Sequence, residues 1–331
     1  PDARDAFDNT DSRFAGVVGA MGHASAAAAL SRAQTILVIG ARLSFLERLG
    51  MEACLEGKRV VQVASEAPFV ACTSRFDCCA NLAAELAALT ERLSQPQGAS
   101  GCVLQPVTRA GPGPETGAQP IAAPSELRSD VALQLLEKYR PEGATVLVDA
   151  GNTGASAAHH LRAPRGGRWL LAMGMAGMGY TYGAAIGAAF ATGRRVFVVS
   201  GDGAFFMHGL EVHTAVEHDL PITYLVLDNA AHGMCLVREH LLLGQSSGYN
   251  SFRRSRLGAG LAAMLPGLLA FDCDSAEELD RALSKCAAAS GPCFVSARLP
   301  AVEVPPFAAF SSARSRGIDT VERDAPSGAR A

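Results

Sequence analysis

Val196-Phe-Val-Val-Ser200-Gly-Asp-Gly-Ala-Phe205 and, one helical interval later, Ile222-Thr-Tyr-Leu-Val-Leu-Asp228-Asn-Ala-Ala-His-Gly-Met234 are the stretch on which the fold turns. Each half opens with a short apolar run, Val196 to Ser200 and Ile222 to Leu227. Runs of that length, bounded by Gly and Pro, predict strands buried on both faces of a parallel sheet. The interval closes at Asp219-Leu-Pro221, so the unit reads strand, helix, strand, and its crossover is expected to be right-handed. That places Asp202 and Asn229 at the carboxyl ends of neighbouring strands, the edge at which such sheets bind ligands.

The chemistry of this edge follows from the residue types. One carboxylate, one amide oxygen and a backbone carbonyl form a sparse set of hard oxygen donors. Such a set suits Mg²⁺, whose other positions are filled by phosphate oxygens and water. A phosphorylated ligand is therefore expected. Gly201 and Gly203 allow the backbone close to it, and a helix beginning near Ala204 turns its free N–H groups and positive dipole end the same way.

Working outward, a helix capped by Ser125 and running to about Tyr139 leads to the strand Thr145 to Val148, which ends in Asp149-Ala-Gly-Asn-Thr153. A last helix, Ala276 to Ala289, and strand, Cys293 to Ala297, complete a doubly wound, mostly parallel α/β domain over residues 125–305. Asp149 is read as a cap on its own loop. Leu170 to Phe190 is long and uncharged, but its five glycines and its Thr and Tyr residues argue for a loop entering a buried helix rather than a membrane span. Upstream, a helix from Ala24 to Ala33, a strand Thr35 to Ile39 and a strand Arg59 to Ala64 form a partial Rossmann-like α/β unit over residues 1–93. Residues 94–124, rich in Pro, Gly, Ala, Gln and Thr, read as a flexible linker, and 306–331 as a disordered tail.

Composition excludes several classes. The 331 residues are 49% hydrophobic and 18% charged, with a formal net charge of -3. No basic stripe suits nucleic acid. The nine cysteines, with Cys78 and Cys79 adjacent, form no C-x-x-C pair. They are read as reduced thiols of a cytoplasmic protein. His208, His213 and His218 are spaced off any one helical face and are not a metal site.

Gly201-Asp202-Gly203 followed by Asn229, 28 residues after Gly201, resembles the thiamine-diphosphate (ThDP) binding motif in spacing and context. The family usually has two asparagines where this chain has Asp228-Asn229, and the second, the ligand, is kept. The resemblance implies Mg²⁺ held by Asp202, Asn229 and the main-chain carbonyl of Ala231, with Gly201, Gly203, Ala204, His232, Gly233 and Met234 against the cofactor. Gly174 to Ala185 looks like the family's Gly-rich approach, which contains Gly177 and places Met178 where a bulky residue wedges between the cofactor rings. Gly151, Asn152 and Thr153 fall where acetolactate-synthase-like members bind the diphosphate. Taken alone, Met178 is equally a core methionine, and His232 a surface or hydrogen-bonded histidine.

The resemblance also implies an activating glutamate from a separate pyrimidine-binding domain, and no such domain precedes residue 125. Phe14 to Leu93, with Gly16-Val-Val-Gly-Ala-Met-Gly22 and Ile36-Leu-Val-Ile-Gly-Ala-Arg42, instead resembles the second half of the acetolactate-synthase-like central domain. The expectation is a split enzyme: a hetero-oligomer whose partner polypeptide brings the pyrimidine domain and its glutamate, or the larger product of a cleavage. FAD is a doubtful cofactor. Arg42 matches its pattern, but the usual acid is absent from Val61-Gln-Val-Ala-Ser65. For the reaction, Gly233-Met234 looks most like acetolactate synthases, and Cys235 stands where pyruvate-decarboxylase-like members have glutamate. The implied chemistry is carboligation: C2 ylide attack on a 2-oxo acid, decarboxylation, and enamine addition to a second carbonyl. A split decarboxylase of the phosphonopyruvate or sulfopyruvate type and a non-catalytic ThDP-binding relative stay open. A nucleotide-binding Rossmann module is the rival for residues 35–66, although Gly40-Ala-Arg-Leu-Ser44 lacks G-x-G-x-x-G.

Overall fold

The computed structural model describes residues 3–67, 75–78, 81–94, 127–171, 173–308 and 310. The expected linker after Ser94, Ser125 and the tail from 311 onward lie outside them.

The first unit is a parallel sheet in the order β1-β2-β3, made of β1 (Thr35–Ile39), β2 (Arg59–Ala64) and β3 (Arg75–Cys78). Around it run α1 (Ala24–Arg32), α2 (Phe45–Arg48), α3 (Glu52–Leu55) and α4 (Leu82–Ser94). The short α2 forms because Ser44 and Glu47 make a reciprocal capping box, satisfying two N–H groups that a one-turn helix otherwise leaves free. β3, only four residues long with charges at two of them, carries no apolar run and is missed by sequence reading.

The second unit is a six-stranded sheet in the order β5-β4-β6-β7-β9-β8, every pairing parallel. Its strands are β4 (Thr145–Val148), β5 (Arg168–Leu171), β6 (Val196–Gly201), β7 (Ile222–Asp228), β8 (Leu269–Cys273) and β9 (Cys293–Arg298). The helices are α5 (Ser129–Tyr139), α6 (Asn152–His160), α7 (Tyr180–Thr192), α8 (Asp202–His208), α9 (Val212–Glu217), α10 (Gly233–Arg238), α11 (Leu257–Met264) and α12 (Ala276–Ala288). Alternate residues of the central strands feed two cores. Val146, Phe197, Leu225 and Val295 pack with α5, α6 and α12 on one face. Leu147, Val198, Tyr224 and Phe294 pack with α7 and α11 on the other. This is the doubly wound arrangement, and it explains why β4 and β7 are buried at every position. The strands that sequence reading missed, β5 and β8, are the two edges of the sheet, half-covered; their apolar runs, Trp169 to Met173 and Leu268 to Phe271, are short and adjoin apolar helical segments.

Three details depart from expectation. α5 starts at Ser129, with Arg128 at the cap position making no side-chain capping bond. Instead, Ser129 donates its backbone N–H and hydroxyl to the Glu303 carboxylate. The tail does not leave the body at Pro305: Ala308 N–H donates to Ala20 O at 2.6 Å, and Phe310 is buried against Val237 and Leu241. An acid does follow β2, one residue beyond the window read, and Glu66 pairs with Arg42 at 2.8 Å. Among the described residues no helix is long and apolar enough to cross a membrane, and 170–190 resolves into the end of β5, a turn region and α7.

The two units meet at α6. Arg4 donates to Ala157 O and Ala158 O at its end, and His23 bonds His159 O at 2.9 Å. Since Val17 N–H donates to His23 Nδ1, the proton of His23 sits on Nε2.

Candidate active site

Asp202 follows directly on β6 as the first residue of α8, so the helix starts two residues earlier than expected. Asn229 follows β7, and Gly201 lies in register with Leu227 in the paired strands. Both residues therefore stand at the same edge of the sheet. The loop between Asp228 and His232 is built by two local devices. Asp228, buried, accepts the Ala230 N–H at 3.1 Å, and Ala230 itself takes the left-handed conformation at φ 55°. That turn needs only an acceptor oxygen, so Asp serves where the family has Asn. Beyond it, His232 N–H donates to Asn250 O, Phe252 N–H donates to Ala230 O, and the Phe252 ring stands edge-on to His232 at 4.6 Å.

The cleft enclosed by these loops is lined by Gly151, Asn152, Thr153, Met178, Gly201, Asp202, Gly203, Asn229, Ala231, His232, Gly233 and Met234, all predicted from sequence. Of the predicted residues, Gly177 and Ala204 do not line it. Ala204 is buried one residue along α8, and Gly177 sits in the open approach before α7. The structure adds Ser129, Ala150, Ser156, Cys235, Leu299 and Glu303 among others. Ser129 and Glu303 carried no motif; their bond across 174 residues is purely tertiary.

Polar atoms in the cleft lack partners inside the protein. Asp202 Oδ2, Asn152 Oδ1 and His232 Nδ1 are buried without a hydrogen bond. Native proteins rarely leave such atoms unmatched, so their convergence marks a ligand site. Burial, and then the nearby Asp228, raise the Asp202 carboxyl above the usual carboxylate range. A divalent cation would reverse that shift. Asn229 donates its Nδ2 to Ala301 O, which leaves Oδ1 as an acceptor for a cation. Two glycines keep the cradle open. A Cβ on Gly203 would come within 2.8 Å of His232 Nδ1 and 3.1 Å of Met178 Cε; one on Gly233 would meet Asn229 Nδ2 at 2.7 Å and Asn152 Nδ2 at 2.8 Å.

Asp149 does more than cap its own loop. Fully buried at the end of β4, it accepts the Gly179 N–H, the Thr181 hydroxyl at 2.6 Å and the Ala150 N–H. It therefore ties the start of α7, and with it the segment bearing Met178, to the sheet edge where Asn152 begins α6. Glu303 closes the opposite wall: burial raises its carboxyl, the Ser129 bonds counter the shift, and its main-chain oxygen accepts from Asn152 Nδ2. The donor set, Asp202 at the start of α8 and Asn229 after β7, fits a Mg²⁺-bound diphosphate.

Residues 149–297 match the C-terminal TPP binding domain of thiamine pyrophosphate enzymes. The chain is 37% identical over 102 residues to sulfoacetaldehyde acetyltransferase of Castellaniella defragrans, covering 30% of this chain and 17% of that protein. It is 30% identical over 184 residues to the acetolactate synthase isozyme 1 large subunit of Escherichia coli (strain K12), covering 51% of this chain and 31% of that protein. Both matches thus span less than a third of the relative's length. Benzoylformate decarboxylase from Polynucleobacter necessarius has a similar fold, with a TM-score of 0.65 and 18% identity over 87% of this chain and 53% of that one.

Proposed function

Because this chain belongs to the thiamine-diphosphate-dependent, acetolactate-synthase-like enzymes, we propose that it forms the diphosphate-binding half of a carboligase acting on 2-oxo acids. The observation that carries the reading is the convergence of Asp202 Oδ2, Asn152 Oδ1 and His232 Nδ1, all without partners, on one glycine-walled cleft. When bound, thiamine diphosphate supplies the electron sink for decarboxylating a 2-oxo acid. The chain's own work is positioning. Asp202, Asn229 and the Ala231 carbonyl would hold Mg²⁺, and the first N–H groups of α8 would be available to the diphosphate. Met178, next to Gly203, sits where a side chain would fix the bend of the cofactor. His232, gripped by Asn250 and Phe252, keeps Nδ1 directed into the cleft, able to hold a proton at that atom.

Ligation is favoured over simple decarboxylation by Cys235, a thiol in the cleft wall where a protonating acid would stand. Release of free aldehyde without ligation would move the assignment to a decarboxylase. The carboxylates lining the cleft are Asp202, assigned to the metal, and Glu303, occupied by Ser129. A glutamate for the pyrimidine ring is therefore proposed to come from a partner polypeptide. Phe206 and Met207 on α8, with Leu210 beyond it, expose an apolar face next to the cleft, which suits such a partner.

Calorimetry with ThDP and Mg²⁺ tests the reading. Saturable, Mg²⁺-dependent binding that Asp202→Ala abolishes supports it, and no binding with or without a co-expressed pyrimidine domain overturns it. Product analysis with pyruvate and a second carbonyl compound then separates ligation from aldehyde release.

A further inference from the structure

A second cleft, of about 470 Å³, lies away from the cofactor, between the N-terminal arm, the start of α1, α5 and the end of α6. Its size is that of a small-metabolite site. Its walls bring together Arg4, His23, Lys138, His159, His160 and Arg162. The charges there do not balance. Arg162 is paired with Glu137, and Lys138 with Asp280. Arg4 and the adjacent Arg140 make no ion pair among the described residues; they donate to the main-chain oxygens of Ala157, Ala158 and Arg162. Glu137 is the carboxylate whose charge reaches Arg4 and Arg140, and it already serves Arg162. The Nε–H groups of Arg4 and of Arg140 are buried with no acceptor. Buried guanidinium donors without acceptors are costly to keep, and excess buried cation calls for an anion.

We propose that this cleft binds a phosphate-bearing small metabolite, with the phosphoryl group held between Arg4, Arg162 and the His23–His159–His160 cluster. The phosphoryl oxygens accept from guanidinium forks and from an N–H of His160, while His23 and His159, which already donate to His159 O and Met21 O, form the wall behind it; a dianion offsets the charge of the two arginines that lack carboxylates. The three rings are already gathered: His23 stacks on His159 at 4.3 Å, and His160 stands edge-on to His159 at 4.8 Å. Burial first, and then His159, push His23 and His160 down to about 4, so these two rings are neutral near pH 7 without a ligand. An anion beside them raises their proton affinity. The site stands independently of the cofactor assignment, yet α6 joins the two: Asn152 and Thr153 at its start line the cofactor cleft, and His159 and His160 at its end line this one.

The test is histidine Cε1 NMR on the full chain, titrated with inorganic phosphate with and without saturating Mg²⁺ and ThDP. The expected result is saturable movement of the His23, His159 and His160 resonances, with higher titration midpoints for His23 and His160. Arg162→Gln should weaken the apparent phosphate affinity roughly tenfold or more while the His232 resonance keeps its position. His160→Gln, which leaves the Arg162–Glu137 pair intact, serves if Arg162→Gln unfolds. Three still resonances at tens of millimolar phosphate, roughly a hundredfold above typical metabolite-site affinities, overturn the proposal. So does equal movement in the variant, or movement of His232 alone. Failure of the cofactor assignment shows separately, as a His232 resonance indifferent to ThDP.

Discussion

Two parallel sheets built from similar apolar runs end up with different coverage. Every residue of β7 is buried, whereas β1 alternates, leaving Leu37 44% and Ile39 46% exposed. The sequence Thr-Ile-Leu-Val-Ile is as apolar as a central strand, yet only Ile36 and Val38 reach a core, a small one shared with Leu43 and Val60. An apolar run therefore predicts a strand without saying how many of its faces are covered. Among the described residues, the other face of β1 is left uncovered.

The largest effect should come from the covered sheet. Leu225→Ala empties a fully buried site and is expected to cost about 3 kcal/mol in urea denaturation, while Leu37→Ala costs less than about 1 kcal/mol. Equal costs would break the comparison. A large cost for Leu37→Ala that appears only in a complex would sharpen it by identifying the face the partner covers.

At the edge of the covered sheet, Asp202→Ala should weaken Mg²⁺-dependent ThDP binding on the order of a hundredfold by calorimetry. It should change the unliganded melting temperature little, because relief of a buried carboxylate is offset by loss of the Gly203 and Ala231 N–H bonds that it accepts. A large loss of unliganded stability would mean that Asp202 holds the loop rather than a ligand. Gly203→Ala places a Cβ 2.8 Å from His232 Nδ1, and overpacking of that kind costs about 1 to 2 kcal/mol. That cost should appear in the stability of the unliganded chain, and displacement of His232 and Met178 should weaken ThDP binding as well.

A pH-dependent effect is expected where the two units meet. His23 and His160 titrate near 4 in the folded chain against an ordinary value of 6.5. Below about 6.5 the unfolded chain therefore binds protons that the folded chain refuses. Stability is complete above that pH and declines as pH falls toward 4. Hydrogen exchange should show the amides around His23 and His159 opening first, with β7 still protected. Simultaneous opening would mean that the two units unfold as one.

From the sequence alone, the parallel order of β6 and β7, the placement of Asp202 and Asn229 at one edge and most of the cleft wall were legible. Period, strand length and crossover handedness are local rules that the chain obeys wherever a strand is covered on both faces. The edge strands β5 and β8 escaped because a short apolar run beside an apolar helical segment does not by its period declare itself a strand. Ser129 and Glu303, the docking of Phe310 and the widened role of Asp149 escaped for another reason. Each depends on a contact between segments whose pairing leaves no periodic trace, and only tertiary packing brings them together. The imbalance of Arg4 and Arg140 against Glu137 is of the same kind. Sequence supplies the charges, but whether they are neutralised is settled by burial, which decides how strongly each charge is felt and which neighbour is near enough to answer it.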